Sequence, residues 1–361
     1  MPSERASLSE QINRQIETDG PISVATFMGL CLTHPQSGYY GVGANPLGAE
    51  GDFITAPEIS QMFGELIGFW LVNLWQQMRE PKSFTLLELG PGRGTLLDDA
   101  LRIAARAPGF LDAMHLQLFE TSQTLRAEQT QRLGRYQPYW QPEIDAVSDD
   151  PVLIVANEFF DALPIRQFVK TETGWHERQI GLRNGQRVFG LAPTALPDTA
   201  FPAPMQGAPV GSVYEAAFAG REAMARLSRV VAGNGGGLLV IDYGYGQTQT
   251  GETLQAVQRH AYADILEAPG ETDISAHVDF QALGEAASAA GLQVSKLATQ
   301  GEFLRRLGIE HRAAALIDAN PTQKAMIESA LTRLISPEQM GDLFKVLCVA
   351  SPGLAPLGVE P

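Results

Sequence analysis

Three glycines at alternate positions, Gly90, Gly92 and Gly94, follow an acid, Glu88, at the end of an apolar run that begins at Phe84. A helix-like segment then starts at Thr95, with apolar residues at Leu96, Leu97, Leu101 and Ile103. This is the pattern of a strand turning into a helix around a nucleotide-like ligand. Glycine in such a turn takes up positive φ and lets a ligand reach bare backbone, and the first amides of the helix favour an anionic group. A dinucleotide fingerprint needs its third small residue one position later, where Thr95 stands, so the spacing favours S-adenosylmethionine (SAM) over NAD. A plain tight turn is the competing reading of the three glycines by themselves.

After a break at Pro108-Gly109, His115 to Phe119 reads as a second strand ending at Glu120. In a doubly wound sheet an acid at that point sits beside the first glycine turn, where it accepts both ribose hydroxyls. Glu120 is therefore the candidate ribose ligand; the alternative is an exposed acid ahead of a helix capped by Thr121 or Ser122. Glu88 is an acid in an apolar strand and needs a partner. That partner is either a cationic group of the ligand or the amides of the glycine loop. Arg93 either pairs with the ligand's carboxylate or points into solvent.

The elements that must position these residues read as an α/β chain. Residues 7 to 34 suggest one or two amphipathic helices interrupted at Gly20-Pro21, and residues 35 to 54 a loop rich in Gly, Pro, Tyr and Asn. Thr55-Ala56-Pro57-Glu58 has the form of a capping box and predicts one helix to about Arg79, apolar on most faces and buried against the sheet or a partner chain. Further strands are expected at Val152 to Ala156, Gly237 to Ile241, Leu292 to Ala298 and Phe344 to Ala350. Between 165 and 191, alternating segments separated by Glu172-Thr173-Gly174 and Arg183-Asn184-Gly185 predict a small antiparallel insert, and Tyr214 to Val231 a helix. The division expected is an N-terminal helical and loop region, 1–81, over the cofactor site. A Rossmann-like sheet domain, 82–351, follows with inserts near 165–210 and 301–340, then a frayed tail, 352–361.

Composition narrows the class. The chain has 361 residues, 44% of them hydrophobic, and a formal charge of −15, which repels phosphate backbones and argues against a general nucleic-acid binder. Two distant cysteines, Cys31 and Cys348, indicate neither a disulfide framework nor a zinc knuckle and point to a reducing compartment. Six histidines without metal-ligand spacing give no metal centre. The most apolar segment, Leu66 to Trp75, is far shorter than the ~20 residues that cross a bilayer. The N-terminus has neither a signal h-region nor an acid-poor transit composition, so bacterial cytoplasm, or the mitochondrial matrix for a mature eukaryotic form, is expected.

Three long motifs occur in order: Gly51-Asp52-Phe53-Ile54-Thr55-Ala56-Pro57-Glu58-Ile59-Ser60, the glycine elbow from Glu88 to Leu96, and Asn157-Glu158-Phe159-Phe160-Asp161-Ala162-Leu163-Pro164. With the later blocks Ile241-Asp242-Tyr243-Gly244-Tyr245 and Asp273 to Phe280, the chain resembles the MidA family of SAM-dependent methyltransferases from Pro21 to Ala350. The resemblance implies a class I methyltransferase sheet and SAM as cofactor. For the family's mitochondrial member it also implies symmetric dimethylation of an arginine on a respiratory complex I subunit.

Methyl transfer is an in-line displacement, so positioning is most of the work. A guanidinium acceptor stays charged in solution and needs carboxylates to orient it. Glu158 and Asp161, just past a strand beside the cofactor, are the candidates for that clamp, and Asn157 joins them in the catalytic set. The alternative has Glu158 capping a short turn and Asp161 bonding the backbone ahead of Pro164. Asp52 is expected to close over SAM in a lid, and one of Phe159 and Phe160 to be core. Asp279 is equally an N-cap or a site residue. Two further readings stay open. One is a glutamine or nucleobase acceptor, because Asn157 to Phe160 loosely resembles an N-x-x-aromatic loop; the other is a SAM-binding assembly chaperone. A homodimer is compatible with the apolar helix.

Overall fold

The apolar runs pair into one sheet. In this computed structural model, which describes residues 6–41, 55–258 and 261–361, its strands are β1 (Phe84–Leu89), β2 (Met114–Phe119), β3 (Tyr139–Trp140), β4 (Val152–Asn157), β5 (Gly236–Tyr245), β6 (Val278–Asp279), β7 (Gln293–Val294), β8 (Ala298–Thr299) and β9 (Phe344–Ala350). The order is β7-β9-β5-β4-β1-β2-β3, with β6 beside β5 and β8 beside β9. Strands β3, β2, β1, β4 and β5 are parallel, and β9 runs antiparallel to β5. Every residue of β1 and β4 is buried, as expected of strands covered on both faces. From β1 the chain moves outward through β2 to β3, then returns to β4 on the other side. The crevice beyond the carboxyl ends of β1 and β4 is therefore the switch point where such sheets bind ligands.

Helices cover both faces. On one lie α3 (Gln61–Gln77), α4 (Thr95–Ala104) and the helical insert α8 (Gln300–Arg306), α9 (Ile309–Ala319) and α10 (Lys324–Ile335); on the other lie α6 (Phe218–Asn234) and α7 (Phe280–Ala289). Gly64 and Gly68 let α3 cross α4 closely, since a Cβ on Gly68 would stand 2.3 Å from the carbonyl oxygen of Ala100. Glu65, 3% exposed, joins three helices through Arg102 (2.9 Å) and Arg312 (2.6 and 2.9 Å). The broad apolar surface of α3 is thus covered by its own chain, with Phe69 alone among its large apolar residues left 47% exposed, and it gives no argument for a second copy.

The expected helix from 55 to 79 is broken. Ala56–Ile59 form one short turn, Ser60 is extended (φ −162°, ψ 139°), and α3 begins at Gln61 with the Ser60 hydroxyl accepting from the Met62 amide at 3.2 Å. Thr55 makes no side-chain cap, because Glu58 turns to the Thr95 hydroxyl instead (2.5 Å) and so ties this turn to the start of α4.

The N-terminal helices α1 (Leu8–Asp19) and α2 (Val24–Thr33) flank Ile22–Ser23, which pairs with the long strand Gly174–Arg183 of the antiparallel insert. Ile12, Phe27 and Met28 share a core with Ile165, Ile180 and Ile274. The predicted helix start at Tyr214 is corrected: Val213–Ala216 is a strand against Arg166–Val169, and helix α6 opens only at Phe218. Its alternation carries the reason, since Glu215 points inward to accept from Gln167 Nε2 (2.8 Å) and from the amides of Thr253 and Leu254 (3.0 Å each). Leu292 to Ala298 splits into β7 and β8. The tail is not frayed: Glu360 pairs with Arg306 (3.0 Å) and Ala355 exchanges hydrogen bonds with Gln77. Among the described residues no helix is long and apolar enough to cross a membrane.

Candidate active site

A cavity of about 300 Å³ lies at the switch point. Its floor is Glu88, Gly90, Gly92 and Glu120, its side Asn157, Glu158 and Phe159, and its cover Leu32, Thr33, Tyr40, Pro57 and Glu58 from the N-terminal region. The three elbow glycines all have positive φ: +60° at Gly90, +53° at Gly92 and +78° at Gly94. At Gly90 the close approach is also steric, since a Cβ would stand 3.2 Å from Phe159 Cδ2. Gly94 serves differently from the expectation. It lies outside the cavity lining, starts α4, and would place a Cβ 3.1 Å from Leu133 Cδ1, so it admits helix α5 (Gln123–Leu133) instead of a ligand.

Glu88 is 2% exposed and its Oε2 has no hydrogen-bond partner. Burial, and then the charge of Glu120, pushes its carboxyl up to about 8. This carboxyl, with one oxygen unpartnered, lies in the lining of the cavity. Glu120 is held from several sides. Its Oε1 accepts from the Ser122 amide (2.8 Å) and its Oε2 from Gln129 Nε2 (3.2 Å), while Arg126 Nε donates to its carbonyl (2.8 Å). Gln129 Nε2 also donates to the carbonyl of Gly92 (2.7 Å), and Gln129 Oε1 accepts from Trp140 Nε1 (2.7 Å). This fully buried amide braces the glycine loop against Glu120. Ser122 is the cap of α5, its hydroxyl accepting from the Leu125 amide (3.4 Å), so the capping reading applies to Ser122 while Glu120 faces the cavity. Arg93 lines the cavity and pairs with Glu128 at 2.9 Å.

The turn after β4 gathers the acids. Glu158 has φ +52°, unusual for a residue with a side chain, and its Oε1 accepts from Asn157 Nδ2 (3.3 Å) and the Ala56 amide (3.4 Å). Burial, and then the nearby Asp161, pushes its carboxyl up to about 7. Asn157 Oδ1 has no partner. Asp161 lies behind the lining, 8% exposed, with Oδ2 accepting from the Tyr243 hydroxyl (2.5 Å) and Oδ1 unpartnered; burial pushes it up to about 6. Asp242, at the end of β5, is fully buried and accepts the successive amides of Phe159, Phe160 and Asp161 at 3.2, 2.9 and 3.3 Å. Burial and the charges of Asp161 and Glu158 push it well above the usual carboxylate range. Among the described residues none of Glu88, Glu120, Glu158, Asp161 and Asp242 forms an ion pair with Lys or Arg.

Of the residues marked from sequence, Glu88, Gly90, Gly92, Glu120, Asn157 and Glu158 meet around one cavity, Gly94 and Asp161 stand behind it, and Asp52 lies outside the described residues. Phe160 is core and Phe159 lines the cavity. Asp279 is the N-cap of α7, accepting from the Ala282 amide at 3.0 Å. Gln129 was missed, and Asp242 was marked only as the polar end of an apolar strand run. Nothing local to Gln129 marks it, whereas Asp242 carried a signal, an acid closing an apolar strand run as Glu120 does.

Residues 66–298 match the model of a family described as S-adenosyl-L-methionine-dependent methyltransferase. The mitochondrial protein arginine methyltransferase NDUFAF7 of Danio rerio is 35% identical, over 95% of this chain and 86% of that protein. The Homo sapiens protein of the same name is 33% identical, over 91% and 80%. A crystal structure of a Burkholderia thailandensis protein bound to S-adenosyl-homocysteine superposes with a TM-score of 0.85 at 29% identity, over 97% of this chain and 93% of that one. The likeness takes in the sheet together with its N-terminal cover and both inserts, and the chain belongs to the MidA family of SAM-dependent methyltransferases.

Proposed function

We propose that this methyltransferase acts on a guanidinium nitrogen of an arginine in a protein substrate. SAM supplies, when bound, an electrophilic methyl group that a nucleophilic nitrogen displaces from sulfur. For the cofactor, Glu120 suits the ribose hydroxyls, Gly90 and Gly92 offer bare backbone, and Glu88, with one oxygen unpartnered, suits the cationic end. The observation that carries the acceptor reading is the set of acids around the turn after β4, buried or half-buried, with no ion pair to Lys or Arg among the described residues. A guanidinium is the protein group that supplies both the missing charge and several N–H donors in a plane.

In this reading Glu158, at the cavity side, orients the guanidinium by accepting from it. Its carboxylate at the cavity side also suits taking the single proton released as the new N–C bond forms. Asp161 adds charge from behind, and Asn157 Oδ1 offers a further acceptor. The relatives are named mitochondrial protein arginine methyltransferases. We extend the proposal to a respiratory complex I subunit as acceptor and to the bacterial cytoplasm or mitochondrial matrix as location, which two buried, unpaired cysteines support.

The test is Glu158→Gln in the full chain. Calorimetry with S-adenosyl-homocysteine is expected to give an affinity within two-fold of the parent, and methyl transfer from tritiated SAM into host-lysate protein to fall at least 100-fold. Transfer at the parent rate overturns the assignment. Client assembly that survives loss of transfer favours the chaperone reading.

A further inference from the structure

We infer that Asp242 and Tyr243, consecutive residues where β5 reaches the crevice, are positioning residues that set the acceptor end of the site from the neighbouring strand. The inference rests on the assignment of Glu158 and Asp161 as the acceptor clamp. Asp242 Oδ2 gathers the amides of Phe159, Phe160 and Asp161, and its Oδ1 accepts from the Tyr243 amide at 3.0 Å. Three successive amides converging on one oxygen fix the backbone of the turn, and with it the left-handed conformation of Glu158 that leaves its side chain at the cavity. Tyr243 fixes the other acid. Its hydroxyl donates to Asp161 Oδ2, while its ring is held edge-on between His277 and Phe344, with centroids 5.6 and 5.5 Å away. With Oδ2 occupied, Asp161 has one oxygen still without a partner.

A carboxyl suits this place because one of its oxygens accepts from three successive turn amides while the other accepts from the Tyr243 amide. Burial beside Glu158 and Asp161 favours its protonated form, so Asp242 acts through the shape it gives the turn. Tyr243, a donor, selects which oxygen of Asp161 is left free.

The probe that needs no acceptor is sinefungin, a SAM analogue carrying an amine in place of the methyl-bearing sulfonium. An acidic acceptor end favours it over S-adenosyl-homocysteine, so the ratio of the two affinities reports that end. Asp242→Asn keeps one acceptor oxygen and puts an NH2 donor in place of the other, and Tyr243→Phe keeps the ring without the hydroxyl. Both are expected to bind S-adenosyl-homocysteine within two-fold of the parent and to lose at least five-fold of the preference for sinefungin, as Glu158→Gln does. If Glu158→Gln loses the preference and the other two keep it, the positioning inference is overturned and the clamp stands. If Glu158→Gln keeps the preference, the clamp itself fails. Parallel loss of both ligands in Asp242→Asn and Tyr243→Phe also overturns the inference, since the pair then serves the fold alone.

Discussion

The proposed pairing of Glu88 with the cationic end of SAM makes cofactor binding a proton-linked event of predictable size. Ligand-free Glu88 holds its proton up to about pH 8, through burial first and Glu120 second. At pH 7 it is therefore about 0.9 protonated. To meet a cation it must ionise, so binding at pH 7 is expected to release about 0.9 of a proton from this group. The fraction already ionised rises from ~0.01 at pH 6 to ~0.5 at pH 8, so the contribution to affinity grows about 50-fold over that range and at most ~2-fold above it. The assay is SAM calorimetry in two buffers of different ionisation enthalpy, on the parent and on Glu88→Gln. The ratio of the two affinities cancels titration of the cofactor's own amine. A ratio that stays flat within three-fold from pH 6 to pH 8, with equal proton release in both proteins, refutes the pairing. The same shift sets stability without ligand. A raised carboxyl contributes stability that is fully present below its unfolded value of about 4.5 and lost as pH rises through about 8, so Glu88→Gln is expected to flatten the fall of Tm across that window.

Three further outcomes follow from the geometry. Glu120→Ala, which deletes an acceptor of charge-assisted bonds, is expected to weaken S-adenosyl-homocysteine by about 10- to 100-fold in calorimetry, and binding within two-fold of the parent would remove Glu120 from the ribose. Gly90→Ala meets φ +60° and Phe159 at 3.2 Å, and is expected to cost about 1 kcal/mol in denaturant unfolding together with lost cofactor affinity. Glu65→Ala leaves Arg312 without its carboxylate and Arg102 with Asp99 alone, and since both guanidiniums reach solvent it is expected to destabilise by about 1–3 kcal/mol. Burial pushes Glu65 up, but the two guanidiniums overcome it and hold the carboxyl below its usual value. Its contribution is therefore present above about pH 4.5 and lost as pH falls, and a Tm of Glu65→Ala equal to the parent's at pH 7 contradicts it.

What was legible in the sequence is what strand ends dictate. Glu88, Glu120 and Glu158 stand at or just past the ends of three apolar runs, and parallel pairing of β1 with β2 and with β4 brings those ends together without further information. The glycine spacing was legible for the turn but not for the division of labour within it, because the contact that assigns Gly94 to packing comes from Leu133, thirty-nine positions on. Local patterns failed where a distant partner competed. The capping box at Thr55 yields to a bond between Glu58 and Thr95, and Glu215 reads as a helix-surface acid until Gln167 and Thr253 surround it. The role of Asp242 was hidden for the same reason, since the turn amides that it gathers lie 81 to 83 residues away.

Methyl transfer to arginine is tested most directly by incubating a host lysate with tritiated SAM, with and without the protein, then hydrolysing the labelled polypeptide and resolving its methylated amino acids. Label that appears with the parent protein, co-migrates with methylarginine and vanishes with Glu158→Gln is the expected result. Label in glutamine or in nucleic acid, or equal label with and without the protein, contradicts it.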